Sequence, residues 1–158
     1  MRIRTGFGFD VHQLKPATTL ILGGVAIPHS KGALGHSDAD VLIHAICDAL
    51  LGAAALPDIG TLFPDTSEEY KGIDSKMLLR KVKAMLDKKG YHIGNIDTTV
   101  CLQHPKISPH VPEMKKVLAG ILSIRPDDIS IKATTTEKLG FVGREEGLSA
   151  YAVVIITQ

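Results

Sequence analysis

Arg2-Ile3-Arg4-Thr5-Gly6-Phe7-Gly8-Phe9-Asp10-Val11-His12 is the stretch that decides the fold. Ile3, Thr5, Phe7, Phe9 and Val11 share one parity, and Arg4, Gly6, Gly8, Asp10 and His12 share the other. A repeat of two marks a β-strand, whose successive side chains point to opposite faces. The chain therefore opens on a strand. One side carries aromatic and branched residues, the other glycines, an acid and an imidazole.

The rest follows outward. Residues 20–27 predict a second strand with Gly23-Gly24 as a bulge inside it, and residues 28–36 a glycine-containing loop. Ser37-Asp38-Ala39-Asp40 predicts a helix start with Ser37 as N-cap. Val41, Leu42, Ala45, Ile46, Ala49, Leu50 and Ala53 recur at helical spacing, and Pro57 sets the end near Ala55. Residues 56–72 lack periodicity, and an unstructured run of that length in a compact domain points to function or movement. Asp74 or Ser75 caps a second helix closed by Gly90, and Pro112 suits the first turn of a third. Ile96, Thr98, Val100 and Leu102 alternate as a strand, and residues 129–133 and 149–157 read as two more. The order β-β-α-α-β-α-β-β predicts a two-layer α/β (α+β) sandwich: a mixed β-sheet covered by helices on one face. Residues 1–158 are expected to form one domain, and the uncovered sheet face to take a partner.

Composition narrows the class. The 158 residues are 44% apolar and 22% charged, and 18 basic against 17 acidic side chains leave a net charge of +1. That balance excludes a nucleic-acid backbone as main partner, which calls for a basic excess. The apolar runs at 49–56 and 150–156 are far shorter than the roughly 20 residues of a membrane helix. No signal or transit segment is read at the start, and Cys47 and Cys101 sit among apolar residues as free thiols do. A cytoplasmic, reducing location is expected.

Four places carry chemistry. Asp10 and His12 point to one side of their strand, and His44 stands off the apolar stripe of the first helix. Asp, His and His form a three-ligand set that leaves a fourth position open on a zinc-type ion. Asp40 and Asp48, four residues either side of His44, are both placed to orient its ring or to face solvent. Gly35-His36-Ser37-Asp38 at a helix start reads as a phosphate site or as plain capping. Thr134-Thr135-Thr136-Glu137-Lys138 gathers hydroxyls, a carboxylate and a cation at a strand end, suited to a diphosphate and its divalent ion or simply to strand propensity. The loop from Gln103 to Pro109 is stiffened by prolines and could present backbone groups to a base edge.

In this order these pieces resemble one family, the 2-C-methyl-D-erythritol 2,4-cyclodiphosphate synthases of the non-mevalonate isoprenoid pathway. The resemblance spans essentially the whole chain. It is carried by Gly8-Phe9-Asp10-Val11-His12, by His36-Ser37-Asp38-Ala39-Asp40-Val41 with His44, and by Asp48-Ala49-Leu50-Leu51-Gly52-Ala53. Asp58-Ile59-Gly60 with Phe63-Pro64-Asp65-Thr66, Pro105-Lys106, and Thr134 to Gly140 followed by Gly143-Arg144 complete it. It implies cyclisation of 4-diphosphocytidyl-2-C-methyl-D-erythritol 2-phosphate with release of CMP, by a homotrimer whose active sites lie between subunits.

By the same resemblance Asp10, His12 and His44 are zinc ligands, and Glu137 holds Mg2+ or Mn2+ on the diphosphate. His36 and Thr135 stabilise the transition state. Val11 and Ser37 join Asp10, His12 and His36 as substrate contacts. Asp58, Ile59 and Gly60 with Phe63, Pro64, Asp65, Thr66 and Ser67 match the methylerythritol and phosphate site. Leu102, Gln103, His104, Pro105, Lys106, Ile107 and Ser108, with Thr134, Thr135 and Thr136, match the cytidine pocket. Phe141 and Arg144 match further contacts. Phe9, Arg144 and Glu146 match residues that in some members line the threefold axis, a site for an isoprenoid diphosphate. Ser67 stands where many members carry Asp, and His104 and Ser108 replace small or apolar residues of the cytidine loop. Two other readings use the same residues: a metal-dependent phosphohydrolase, and a metal- or nucleotide-binding module without turnover.

Overall fold

β1 (Ile3–Pro16) is the strand on which the molecule is built. The computed structural model describes residues 1–35, 37–64, 66–68, 70 and 72–158. After β1 come β2 (Leu20–Leu22), β3 (Val25–Ile27), β4 (Lys31–Leu34), α1 (Val41–Ala53), α2 (Ile59–Leu62) and α3 (Ser75–Lys88). β5 (His92–Cys101), α4 (Val111–Leu122), β6 (Ile129–Thr134), α5 (Gly140–Gly143) and β7 (Gly147–Thr157) complete the chain. The main sheet has the order β4-β1-β7-β5-β6, and β2 and β3 form a separate pair. β5 and β6 are parallel, joined through α4, while the other neighbours are antiparallel. The sheet is therefore mixed, with helices on one face, as its pattern predicts.

Glycines decide which face of β1 the helix takes. A Cβ built on Gly8 would lie 1.9 Å from the Ala45 carbonyl oxygen, and one on Gly6 would lie 1.9 Å from that of Ala49. α1 thus rests on the strand backbone, with its own small residues Ala45, Ala49 and Ala53 against it. The apolar parity of β1 is turned the other way: Phe7 is 62% exposed, Phe9 44% and Val11 43%. Tyr151 and Val153 of β7 join them, and the Phe9 and Tyr151 rings lie 5.1 Å apart across the register. On its other parity β7 sends Leu148, Ala150, Ala152, Val154 and Ile156 into the core.

Several local expectations change. Residues 20–27 are not one bulged strand. Gly23 and Gly24 both have positive φ, 58° and 75°, and close a two-residue hairpin turn between β2 and β3. The predicted loop at 28–36 contains β4, whose Gly32 amide is held by the Thr18 hydroxyl. The N-cap of α1 is Asp40, not Ser37: its carboxylate accepts from Ile43 N at 3.0 Å. The same carboxylate accepts from Gly23 N at 3.0 Å and Gly24 N at 2.6 Å, so the hairpin and the helix start share one anchor. α1 ends at Ala53, and α2 occupies part of the predicted 56–72 loop. Asp74 caps α3, and Pro112 lies in the first turn of α4, both as predicted. Cys47 and Cys101 are free thiols.

Candidate active site

The close seat of α1 on β1 brings His44 to Asp10 and His12. Asp10 Oδ2 lies 2.9 Å from His12 Nε2 and 2.9 Å from His44 Nδ1, and the two ring nitrogens are 3.2 Å apart. His44 is buried, because α1 lies between sheet and α3 and offers almost no solvent-facing side. The expectation that His44 stands on a polar side of the helix is corrected accordingly. Neither Asp40 nor Asp48 orients its ring: Asp40 is committed to the hairpin and helix amides, and Asp48 accepts from Ile59 N at 2.9 Å. The second ring nitrogen, Nε2, instead meets the hydroxyls of Ser75 at 2.9 Å and Ser37 at 3.2 Å.

The electrostatics follow from this crowding. Burial works to raise the Asp10 carboxyl, but the two imidazoles hydrogen-bonded to it outweigh burial and hold it down at about 2. Burial likewise works to lower His44, and Asp10 beside it more than compensates, so His44 is raised. Asp40 is pushed up to about 6 by complete burial, against the pull of its three amide donors.

Three ligand atoms that converge are what a divalent ion requires. Around an ion with ligands at about 2.0–2.2 Å in tetrahedral array, neighbouring ligand atoms stand roughly 3.3–3.6 Å apart. The observed 2.9–3.2 Å approaches that spacing, and two imidazoles with a carboxylate are a donor set zinc accepts. The residues fit the ion that the sequence implies.

The cluster forms part of the wall of a cleft of about 260 Å³ lined by His12, Ser37, His44, Ile59, Gly60, Phe63, Tyr70, Ile73 and Leu78. Ser37, Ile59, Gly60 and Phe63 are therefore gathered with the metal cluster. Tyr70, Ile73 and Leu78 line the same space without having been singled out, and their mixed polarity at irregular spacing gives no sequence signal. Asp58 caps α2, where the Thr61 N–H at 2.7 Å holds its carboxyl below the ordinary value. Pro64, Thr66 and Ser67 lie in the loop beyond Phe63 and are not among the lining residues. Val11 faces the open side of the sheet instead. His36 and Asp65 fall outside the described residues.

A second cleft, about 240 Å³, lies at the ends of β5 and β6. It is lined by Leu102, Gln103, Pro105, Lys106, Ile107 and Ser108 with Ala133, Thr134 and Thr135. His104 points away, 62% exposed, with Nε2 4.0 Å from Glu145 Oε1. Beyond it Thr136 to Leu139 make a tight turn, closed by Leu139 N donating to Thr136 O at 2.9 Å. Its central residues, Glu137 and Lys138, have φ of 52° and 65°, a left-handed pair that favours glycine and strains other side chains. Thr135 Oγ1 lies 3.2 Å from Glu137 Oε1 and accepts from the Glu137 amide, which steadies the carboxylate beside the cleft. Gly143 of α5 makes the turn possible, since a Cβ there would meet the Lys138 backbone at 2.1 Å. Phe141 lies on α5, and Arg144 follows it in a bidentate pair with Glu146 at 3.0 Å.

Fold and site together define an α+β protein with a candidate metal centre in one cleft and a separate cleft at the sheet end. The YgbB family model matches residues 3–157. The chain belongs to that family, the 2-C-methyl-D-erythritol 2,4-cyclodiphosphate synthases. A protein of that name from Bacteroides fragilis is 63% identical over all of this chain and 99% of its own length. Among solved structures, the bifunctional IspDF of Campylobacter jejuni superposes with TM-score 0.94 at 42% identity; the match covers 98% of this chain and 42% of that one. The Plasmodium falciparum IspF CDP complex superposes with TM-score 0.86 at 39% identity, covering 98% of this chain and 95% of that one.

Proposed function

We propose that this chain is a phosphorus–oxygen lyase that cyclises 4-diphosphocytidyl-2-C-methyl-D-erythritol 2-phosphate to 2-C-methyl-D-erythritol 2,4-cyclodiphosphate and CMP in the cytoplasm. Residues 1–158 act as one domain. The observation that carries the reading is the Asp10-His12-His44 cluster lining a largely apolar cleft, in a chain closely similar to proteins named for that product. No helix among the described residues is long and apolar enough to cross a membrane.

The reaction asks for alignment and charge neutralisation more than for a strong base. The nucleophile is the substrate's own 2-phosphate, already anionic at neutral pH, and it attacks the β-phosphorus in line with the departing CMP. Asp10, His12 and His44 would hold Zn2+, and Glu137 Mg2+ or Mn2+; bound there, such ions supply Lewis-acid polarisation of phosphate oxygens. Ile59, Gly60 and Phe63 enclose the methylerythritol, with Asp58 and the Pro64, Thr66 and Ser67 loop flanking it, and Asp65 assigned to the same phosphate site by the family resemblance. The cytosine sits against Leu102, Gln103, Pro105 and Ile107, and Lys106 faces the phosphates. The Thr135 hydroxyl and His36 meet the charge that builds on the transferring group.

One subunit does not complete this arrangement. Thr134 is in register with Cys101, Cys101 with Ser149 and Ser149 with Val11. Three strand spacings of about 4.8 Å place the β6 end roughly 14 Å from β1. Each cleft is thus half a site, and a homotrimer in which neighbours join them would also cover the open face of Phe7, Phe9, Val11, Tyr151 and Val153. Arg144, Glu146 and Phe9 would then face the threefold axis, where an isoprenoid diphosphate fits.

Mass spectrometry of the product tests the reading. A cyclic diphosphate with CMP is expected. Linear phosphates would replace it with a phosphohydrolase, and binding without turnover would leave a nucleotide-binding module. Sedimentation should give three chains per particle; a monomer with full activity would refute the shared site.

A further inference from the structure

Ser75 is fully buried at the first position of α3, yet its side chain is a hydroxyl, and the proton on that hydroxyl has a determinable place. Asp38 is in contact with it: Ser75 Oγ donates to Asp38 Oδ1 in a short hydrogen bond, and the Ser75 amide donates to Asp38 Oδ2 at 3.0 Å. A carboxylate only accepts, and a hydroxyl has one proton to give. The Ser75 proton therefore belongs to Asp38. What Ser75 presents to His44 Nε2, 2.9 Å away, is a lone pair. Ser37 Oγ, 3.2 Å from the same nitrogen, accepts from the Ala39 amide and keeps a second lone pair to offer Nε2, though unlike Ser75 its own proton is not committed. Nε2 must then carry a hydrogen.

We infer that Ser75 and Asp38 form a positioning pair that holds a hydrogen on His44 Nε2, so that Nδ1, which donates to Asp10 in the metal-free protein, is the nitrogen that gives up its hydrogen to a cation between Asp10 and His12. The inference rests on the metal-binding reading of that cluster. A hydrogen on Nδ1 alone would leave the lone pair on Nε2, away from the ion, and would turn the Ser75 hydroxyl away from Asp38, leaving carboxylate and hydroxyl oxygens in lone-pair contact. The pair is anchored from both sides. Asp38 Oδ1 also lies 3.3 Å from the Asp40 amide, the Asp38 amide donates to Ile73 O at 3.3 Å, and α3 packs on α1. Ring orientation is thus set by residues 31 and 6 positions away in the chain from His44. Partners of this kind typically change metal affinity by about 10- to 100-fold when removed.

Zinc affinity measured by chelator competition, with no substrate present, tests the pair. Ser75→Ala is expected to bind Zn2+ about 10- to 100-fold more weakly. Asp38→Asn keeps the shape but can donate to Ser75, which frees the hydroxyl proton to turn toward Nε2; it should weaken zinc binding similarly. Ser75→Thr, which retains the hydroxyl, should restore most of the affinity. Long-range proton–nitrogen NMR of the metal-free protein should show a hydrogen on His44 Nε2 besides the one Nδ1 shares with Asp10, and partial loss of the Nε2 hydrogen in Asp38→Asn. Zinc affinities within twofold of the unsubstituted chain in both Ser75→Ala and Asp38→Asn would overturn the inference, as would a His44 protonated at Nδ1 alone. If Ser75→Ala does not fold, Asp38→Asn and the NMR signal decide. Absence of zinc binding by the unsubstituted chain would remove the metal reading, whereas the Nε2 hydrogen is read on metal-free protein and judges the pair by itself.

Discussion

Gly8→Ala is a one-methyl change with a large expected effect. Gly8 has an ordinary φ, so alanine there imposes no backbone strain, and in open space the change would stabilise by about 0.4–1 kcal/mol through the unfolded chain. The space is closed. The new Cβ would meet Ala45 O at 1.9 Å and Ala49 N at 2.7 Å, both backbone atoms of α1. To reach an ordinary van der Waals contact of 3.4 Å, helix and strand must part by about 1.5 Å. Overpacking of this kind destabilises by about 1–3 kcal/mol, and more where backbone must move. The same displacement carries His44, next to Ala45, away from β1. Its 2.9 Å and 3.2 Å contacts with Asp10 and His12 would open beyond 4 Å, too wide for one ion held at about 2.0–2.2 Å. Urea denaturation of metal-free protein should show at least about 2 kcal/mol lost, and chelator competition at least a hundredfold weaker zinc binding. Gly52→Ala serves as the control. It lies in the same helix with 3.9 Å to the nearest atom and should gain about 0.5–1 kcal/mol. A Gly8→Ala protein as stable and as zinc-avid as its parent would refute the account of how α1 is seated.

Asp40→Ala removes a helix cap and strands the Gly23 and Gly24 amides; at least about 3 kcal/mol of stability should be lost on denaturation, with Asp40→Asn in between. Asp10, depressed from 3.8 to about 2, contributes stability that is complete above pH 3.8 and disappears as pH falls toward 2. In metal-free protein the gap in stability to Asp10→Asn should therefore shrink by about 2 kcal/mol over that window, and a constant gap would count against the pairing. His44 is raised above 6.5, so its side of the same contact is present at low pH and is lost as pH climbs past the raised value. Lys81 Nζ stands 4.7 Å from the Tyr70 ring and 5.9 Å from that of Phe63, which meet edge to face; Lys81→Met should raise KM about two- to fivefold with kcat held, and Lys81→Arg should reverse it. For Glu137→Gln, dependence on added Mg2+ or Mn2+ should weaken while bound zinc stays stoichiometric, and an unchanged dependence would argue against that role.

Periodicity made β1, α1, α3, β5, α4, β6 and β7 legible, because each repeats its pattern over enough residues to show a period. β2 and β3 are three residues each, too short for alternation to show, and Gly23-Gly24 reads the same as a bulge or as a turn until both φ values are known. The sequence pattern predicts Ser37 as the cap of α1, but it is Asp40, whose carboxylate the distant hairpin amides also need. Parity told that β1 is a strand but not which side faces the helix. That was settled by glycines 6 and 8, whose missing side chains admit the backbone of α1. In the site, Asp-x-His on a strand was readable from spacing, whereas His44 was picked out by the family resemblance, its expected place on a polar helix side being wrong. Tyr70 and Ser75 were not readable, since each earns its position through contacts with residues far away in sequence.

The three ligand atoms, Asp10 Oδ2, His12 Nε2 and His44 Nδ1, come from two chain segments, with His44 32 residues from His12 and 34 from Asp10. In the unfolded chain they wander independently, so an ion that joins them closes a loop as a reversible staple would. Its binding energy is then folding energy. At a free concentration one hundred times its dissociation constant it adds about 2.7 kcal/mol to the folded state. That is a sizeable share of what keeps a domain this size folded, so starving the protein of metal would lower its lifetime in the cell as well as its turnover.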